Sequence, residues 1–466
     1  MDNPYNDPGP GGVKEEVFFD LLSPSSSFGC SSLKDPNGLS DNCIISAIIL
    51  SHWDNIMGPR IIHLWSNTYN QEATPAQLKT LRFVANHTLS GEITRDLSDR
   101  TIDDKFYVIQ EKSISVTSFI FGAKSTVGKC VHSLSLVVPL EHLETYLKWH
   151  DLCVIWMKRL ISRLKVLQSI DPGNGAIGEF SMPKNIQSFI QMLRSLSMLA
   201  LPSTINISTT LLRSDHPIEN AFLRKAIAAH LVTCGHSIVV GKIKSQLNTL
   251  VRTLALFLGA TERHCSRLAT SDNPRFPYHS DLSIQAIIKD DNDTTNIPSI
   301  DVLCSKFPSA LIDMSTKEIH VTQPCHIHSV RRYEMMKQDL TCLWAEHRED
   351  KVYPTSEIFK PYNEGETLVG KLLCELAELK ASCGIRETYI EQFIMSLERR
   401  ALSLIKLVEL DTNRGKTKCN VNKIKKDMTL TQEGDFHIVL STAEKLQPGM
   451  YAAVYGDPKQ ITENFT

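Results

Sequence analysis

Three stretches approach the phosphate-cradling pattern, in which two glycines with four residues between them are followed by lysine and a hydroxyl. In GETLVGKL, residues 365–372, the spacing is met and Lys371 follows Gly370. Leu372 nevertheless stands where a Ser or Thr hydroxyl must reach Mg²⁺, and no strand-like run leads in. GAKSTVGKC (122–130) and GHSIVVGKI (235–243) each place one residue too many between the glycines. Nucleotide hydrolysis by this chain alone is therefore not expected. A second constellation, EIHVTQPCHIHS, brings His320, Cys325, His326 and His328 close in sequence, and thiolate with imidazole is good zinc chemistry. Its spacing matches none of the common fingers. Adjacent Cys325 and His326 point apart in extended chain, and no second cysteine pair closes a tetrahedron. We expect no metal and histidines that bond locally. There is no Gly-x-Ser-x-Gly elbow, no His-Glu-x-x-His and no carboxylate pair in a setting that would shift its pKa, so no catalytic residue and no cofactor are assigned.

Two further stretches carry recognition chemistry. The run 414–427 holds Arg414, Lys416, Lys418, Lys423, Lys425 and Lys426 against Asp427 alone. It reads as a solvated loop, with an acidic lipid headgroup or acidic partner as the alternative. SHWDNIMGPRIIHLW, residues 51–65, joins two β-branched runs through a polar turn. Trp53 is a rigid anchor, Asp54 and Asn55 can bond their own backbone, Gly58 can take positive φ and Pro59 fixes entry to the next strand. Arg60 has no role that hairpin chemistry demands.

The elements that must position these residues follow from pattern. Residues 1–41 are rich in Pro, Gly, Ser, Asn and Asp and read as a disordered tail. CIISAIIL and RIIHLW form a hairpin, and TPAQLKTLRFVANHTL is an amphipathic helix capped by Thr74 with Pro75 in its first turn. KFYVIQE, SISVTSFIFG and CVHSLSLVVPL are strands, before EHLETYLKWHDLCVIWMKRLISRLKVL returns to helical period. The order β-β-α-β-β-β-α implies an antiparallel sheet with helices packed on it. The Gly- and Pro-bearing IDPGNGAIGEFSMPK marks a boundary. Beyond it, helix, strand HSIVVG and helix alternate, SIQAIIK and KEIHV supply further strands, and the remainder is mainly helical. One helix, 387–410, places Tyr389, Ile390, Phe393, Ile394, Leu397, Leu404, Ile405 and Val408 on a broad face that reads as core.

Composition narrows the class. A chain of 466 residues, 42% hydrophobic and 22% charged, can bury two or three cores. Fifty basic against 52 acidic residues give a formal charge of −2, no field for holding nucleic acid. Twelve cysteines without a CxxC pair read as free thiols of a reducing compartment. No stretch reaches the roughly 20 apolar residues of a spanning helix, so a soluble cytoplasmic protein is expected.

WDNIMGPR, FVANHTLSGEITR, TLVRTLALFL with TERHCSRL, PCHIHSVRRYEM, RRALSLIKLVELDT and LTQEGDFHIVLSTAEKLQPG occur in order across about residues 44–456. Together they resemble the longin–DENN family of chromosome nine open reading frame seventy-two. The first 40 residues, the stretch of about 160–215 and the end after Gly456 depart from the pattern. The resemblance implies an α+β longin domain, a five-stranded antiparallel sheet with helices, followed by an α/β and helical DENN domain. The divisions are then a tail at 1–41, the longin domain at 42–168, a linker and helical connection at 169–216, and the DENN domain at 217–466, α/β to about 330 and mainly helical after. By longin topology the third strand would be the open edge, so Phe106, Tyr107, Val108 and Ile109 are expected to pair with a partner sheet. The family implies a second longin–DENN protein named for the Smith-Magenis region, a WD-repeat protein, and Rab and Arf GTPases as partners. It implies nucleotide exchange, or GTPase activation through a partner's arginine, in autophagy, endosomal trafficking and lysosome function. Recruitment to lysosomes, endosomes or autophagosomes follows, with the nucleus as a further compartment. The alternative is a non-catalytic scaffold that recruits the complex to lysosomal membranes.

Overall fold

The computed structural model describes residues 29–32, 43–66, 74–92, 101–125, 128–170, 182–213, 221–270, 276–290, 297–344, 355–380, 384–413 and 420–456. The first sheet contains β1 (Gly29–Ser32), β2 (Ala47–Asp54), β3 (Gly58–Ser66), β4 (Ile102–Ile109), β5 (Ile114–Ser125) and β6 (Gly128–Pro139). Their spatial order is β1-β3-β2-β6-β5-β4. β2 to β6 pair antiparallel throughout, the five-stranded sheet expected.

Period-two alternation explains the apolar runs. In β2, Ile48 and Leu50 join one core while Ala47 and Ile49 join another on the opposite face. Both faces are covered, so the strand reads as continuously apolar. Helix α1 (Pro75–Leu89) covers one face with Leu81 and Val84. Its start is as expected: the Gln77 amide donates to Thr74 Oγ1 at 3.3 Å, the Thr74 amide donates to Gln77 Oε1 at 2.9 Å, and Pro75 opens the first turn. Helix α2 (Leu143–Ile170) covers the other face with Tyr146, Trp149, Met157, Leu160 and Leu164. Helix α3 (Met182–Met198) lies in the expected connection at 169–216, yet its Ile186, Phe189, Leu193 and Leu196 complete this same first core.

One expectation is corrected. Disorder through residue 41 does not hold at Gly29–Ser32, which lies parallel on β3 with Gly29 opposite His63 and Ser32 opposite Ser66. The composition of GCSS carries no strand signal. It is the open flank of β3 that supplies the partner. The rest of 1–41 lies outside the described residues.

The second unit surrounds a sheet of order β11-β10-β9-β7-β8, with β7 (Ser237–Gly241), β8 (Ile284–Ile288), β9 (Ala310–Asp313), β10 (Ile319–Val321) and β11 (Lys360–Pro361). β7 runs parallel to β8 and β9, whereas β10 is antiparallel to β9 and β11 to β10. The fully buried SIVVG of β7 is what a central parallel strand requires. Helices α4 (Ala221–Val232) and α5 (Lys244–Ala255) pack on the sheet, followed by α6 (Ala260–His264), α7 (Ser299–Cys304), α8 (Cys325–Trp344) and α9 (Thr355–Ile358). The remainder is helical: α10 (Leu368–Glu378), α11 (Ile385–Asn413), α12 (Val421–Asp427), α13 (Glu433–Leu446) and α14 (Met450–Tyr455). The apolar face expected within 387–410 is core: Ile390, Leu397, Leu404, Ile405 and Val408 are buried in α11.

Helix α2 also joins the two units. Trp149 Nε1 donates to the His264 carbonyl at 3.0 Å, and Arg159 Nη2 donates to Asp281 Oδ2 at 2.7 Å and to the Cys304 carbonyl at 3.0 Å. Arg163 pairs with Asp339 of α8 at 3.4 Å.

Candidate interaction surface

β4 ends the sheet order, so its flank away from β5 carries no strand among the described residues. The register Phe106↔Thr117, Tyr107↔Val116, Val108↔Ser115 then separates the four edge residues by face. Phe106 and Val108 are each 41% exposed, on the side where α2 lies; Phe106 meets the His150 ring edge-on at 5.7 Å. Tyr107 and Ile109 turn the other way and pack against the α1-side core. The Tyr107 hydroxyl bonds to Thr88 Oγ1 and, at 3.1 Å, to Ser118 Oγ, which in turn bonds to Ser135 Oγ at 2.8 Å. Burial pushes the Tyr107 phenol above its ordinary pKa, and those hydroxyl bonds partly offset the effect. Of the four residues, only Phe106 and Val108 therefore present large apolar side chains to solvent. Just ahead of them β4 is fastened down, by Asp104 to Lys158 of α2 at 2.6 Å and by Lys105 to the buried Glu92.

The first hairpin is built by Asp54 rather than Asn55. Asp54 Oδ1 accepts from the amides of Ile56 at 2.8 Å and Met57 at 3.1 Å, closing the turn over the exposed Asn55. The same two bonds hold its carboxyl below the ordinary range. Gly58 takes φ +77°, which an L side chain adopts only with strain. Trp53 is half-buried opposite Pro59, and Arg60 forms a surface pair with Asp54 at 3.8 Å. Arg60 thus has a local partner at the turn. The tip itself is apolar: Ile56 is 92% exposed and Met57 37%.

The basic run divides. Arg414, Lys416 and Lys418 lie outside the described residues. Lys423, Lys425 and Lys426 belong to α12, not to a loop, and Asn420 caps that helix by accepting from the Lys423 amide at 3.1 Å. Lys425 is committed internally: it pairs with Glu433 and sits 4.9 Å from the centre of the Phe436 ring. Only Lys423 and Lys426 of the three are exposed.

The structure also explains why GETLVGKL cradles no phosphate. The amides at the start of α10 are already taken by carboxylates: Thr367 and Leu368 donate to Asp435 Oδ1 at 2.8 and 2.9 Å, and Val369 and Gly370 to Glu366 Oε2 at 2.8 and 3.2 Å. Arg224 of α4 pairs with Glu366, and a Cβ on Gly370 would fall 2.8 Å from its guanidinium carbon. Close approach of Arg224, not of phosphate, requires that glycine. The His/Cys cluster disperses likewise. His320 sits on β10, Cys325 is buried with its sulfur 3.6 Å from that of Cys234, and His326 stacks on Tyr455 at 5.2 Å. His328 Nε2 donates to the Ser305 carbonyl at 2.9 Å, a distant partner rather than a local one. Among the described residues no group of three His, Cys, Asp or Glu side chains is placed to hold a metal, and no helix is long and apolar enough to cross a membrane.

Sequence reasoning did not find the Arg159–Asp281 and Arg224–Glu366 pairs or the Thr88–Tyr107–Ser118–Ser135 hydroxyl chain. Their members are far apart in sequence, and no spacing signals them.

Comparison with known proteins bears on nine-tenths of the chain. The C9orf72-like protein family model matches residues 83–328. The human protein named guanine nucleotide exchange factor C9orf72 is 33% identical over 456 residues, covering 90% of this chain and 93% of that protein. The mouse and rat homologues match at the same identity and coverage. Among solved structures, the K. lactis Lst4 longin domain aligns over 31% of this chain and 92% of its own at 15% identity, with a TM-score of 0.22 that is too low to bear on the fold. One residue in three shared along nine-tenths of its length, with the family pattern running from α1 to α8, establishes that this chain belongs to the C9orf72-like protein family.

Proposed function

We propose that this protein is a regulatory subunit acting on small GTPases, and that its first sheet is a longin platform whose β4 edge pairs with the sheet of a second longin–DENN protein. The observation that carries the pairing is an edge strand with outward Phe106 and Val108, rigidly fastened through Asp104 and Lys105. An added strand gains main-chain hydrogen bonds, and alternate side chains give selectivity. The GTPase role is supported by the name guanine nucleotide exchange factor borne by the human, mouse and rat relatives. Exchange needs differential binding to nucleotide-free and nucleotide-bound states, not a covalent step.

On this reading residues 217–466 form a DENN domain, Rab or Arf proteins are the substrates, and a WD-repeat protein completes an assembly serving autophagy and lysosomes. Activation of hydrolysis would draw its arginine from the partner chain. Fluorescent-nucleotide release and phosphate release, measured on Rab and Arf proteins with and without the assembled chains, test the proposal. A severalfold change in either rate, lost with Phe106→Asp, is expected. Unchanged rates with an intact assembly would replace it with a scaffold. Arg60 is paired with Asp54, so Arg60→Ala should leave turnover unaltered.

A further inference from the structure

Just beyond α4, Cys234 takes φ +56°, a left-handed conformation in which a Cβ is a cost and glycine is the usual occupant. Gly235, next in the chain, meets the same demand at φ +82° without a side chain. What Cys234 gains is a set of contacts. Its thiol donates to the Ser441 carbonyl of α13 at 3.5 Å, and its sulfur lies 3.6 Å from that of Cys325, the first residue of α8. With its hydrogen committed to Ser441, the Cys234 sulfur accepts from Cys325. That bond and burial push the Cys325 thiol well above its ordinary pKa, so the resting pair is two thiols. Both cysteines are buried, at 1% and 7% exposed, yet solvent is near. Thr233, beside Cys234, and Pro324, beside Cys325, line one cleft of about 190 Å³ together with Tyr451. The cleft thus comes within one residue of each cysteine along the chain, and a small oxidant needs only a slight opening of its wall.

We propose that Cys234 and Cys325 are a redox latch: hydrogen peroxide joins them in a disulfide that fastens the turn between α4 and β7 to the start of α8, and a dithiol releases it. The inference does not rest on the exchange reading. One sulfur, as thiolate, attacks a peroxide oxygen; the O–O bond breaks, leaving a sulfenic acid and releasing water. The second sulfur then attacks the first, forming the S–S bond and expelling the sulfenic hydroxyl as water. Two electrons and both thiol protons pass to peroxide, which ends as two waters. To reach a bond length of about 2.0 Å the sulfurs must close by roughly 1.5 Å, a matter of small side-chain rotations. The bridge joins residues 91 positions apart, and a cross-link over so long a loop strongly restricts the unfolded chain. α8 also carries Asp339, paired with Arg163 of α2 at 3.4 Å, so the latch stiffens the route from the second sheet to the helix that joins the units.

Treating the full chain with hydrogen peroxide, then blocking free thiols and mapping peptides by mass spectrometry without reduction, tests the latch. A peptide pair linking Cys234 to Cys325, lighter by two hydrogens than its free halves, should accumulate and disappear with dithiothreitol. The oxidised chain should melt several degrees above the reduced one. Cys325→Ser should abolish both the linked pair and the shift. Cys374→Ser, at an exposed cysteine, should keep both. Peroxide that leaves both thiols free to alkylate, takes either to sulfinic acid without the link, or joins them with no rise in melting temperature would overturn the inference. Should Cys325→Ser fail to fold, peptide mapping of the unsubstituted chain still decides the question.

Discussion

At the scale of single residues, the charged groups worth most are those withdrawn from water. Asp281 is 2% exposed and Arg159 18%, so removing one leaves the other buried without its counter-charge. Arg159→Ala should cost about 3–5 kcal/mol in denaturant unfolding, far beyond the surface pair Arg60–Asp54, for which about 0–1 kcal/mol is expected. Asp435 receives two backbone amides and the Thr367 hydroxyl. Asp435→Ala should therefore lower stability by about 1–3 kcal/mol, read as a shift in the urea midpoint. The hairpin was legible at this scale in part. Asp54 and Gly58 have the roles their chemistry suggested, whereas nothing in WDNIMGPR said that Ile56 would stand almost wholly in solvent.

Elements show where periodicity suffices and where it stops. β2 to β6 and the helices α1 and α2 follow from β-branched and strand-like runs, helical spacing and the Thr74–Pro75 start. Alternation also says that Phe106 and Val108 share one face of β4 and Tyr107 and Ile109 the other. It does not say which face meets water. That was decided by α1, whose Thr88 receives the Tyr107 hydroxyl. Phe106→Asp combined with Val108→Lys should leave the melting temperature within a few degrees, since surface changes usually alter stability by about 0.5 kcal/mol or less. The same double variant should abolish pairing with a second longin–DENN chain in size-exclusion chromatography. Tyr107→Phe should behave oppositely, softening the sheet while pairing persists. The strand β1 was illegible because GCSS has no strand propensity; its pairing rests on β3.

At the scale of the molecule, two sheet-based units are joined by α2, and the buried histidines make that assembly sensitive to acid. Burial pushes His132 and His328 down to about 4 and His230 and His279 to about 3. Each is neutral in the fold but takes a proton near pH 6.5 when unfolded. Their contribution is therefore complete above about pH 6.5 and declines as pH falls toward 4, by up to about 1.4 kcal/mol per pH unit for each site. Unfolding curves at successive pH values between neutral and pH 5 should show this loss, and His328→Gln should make it shallower. By itself the sequence determined the element order, the absence of a nucleotide-hydrolysing or metal-binding pattern, and membership in a family, because hydrophobic period and block identity are local properties read along the chain. Only the tertiary structure decided that β4 is an edge, that carboxylates occupy the start of α10, and that α2 locks one sheet to the other. Those facts depend on how elements meet in space: Thr367 on Asp435 and Arg159 on Asp281 join residues more than sixty positions apart, and such contacts leave no periodic trace.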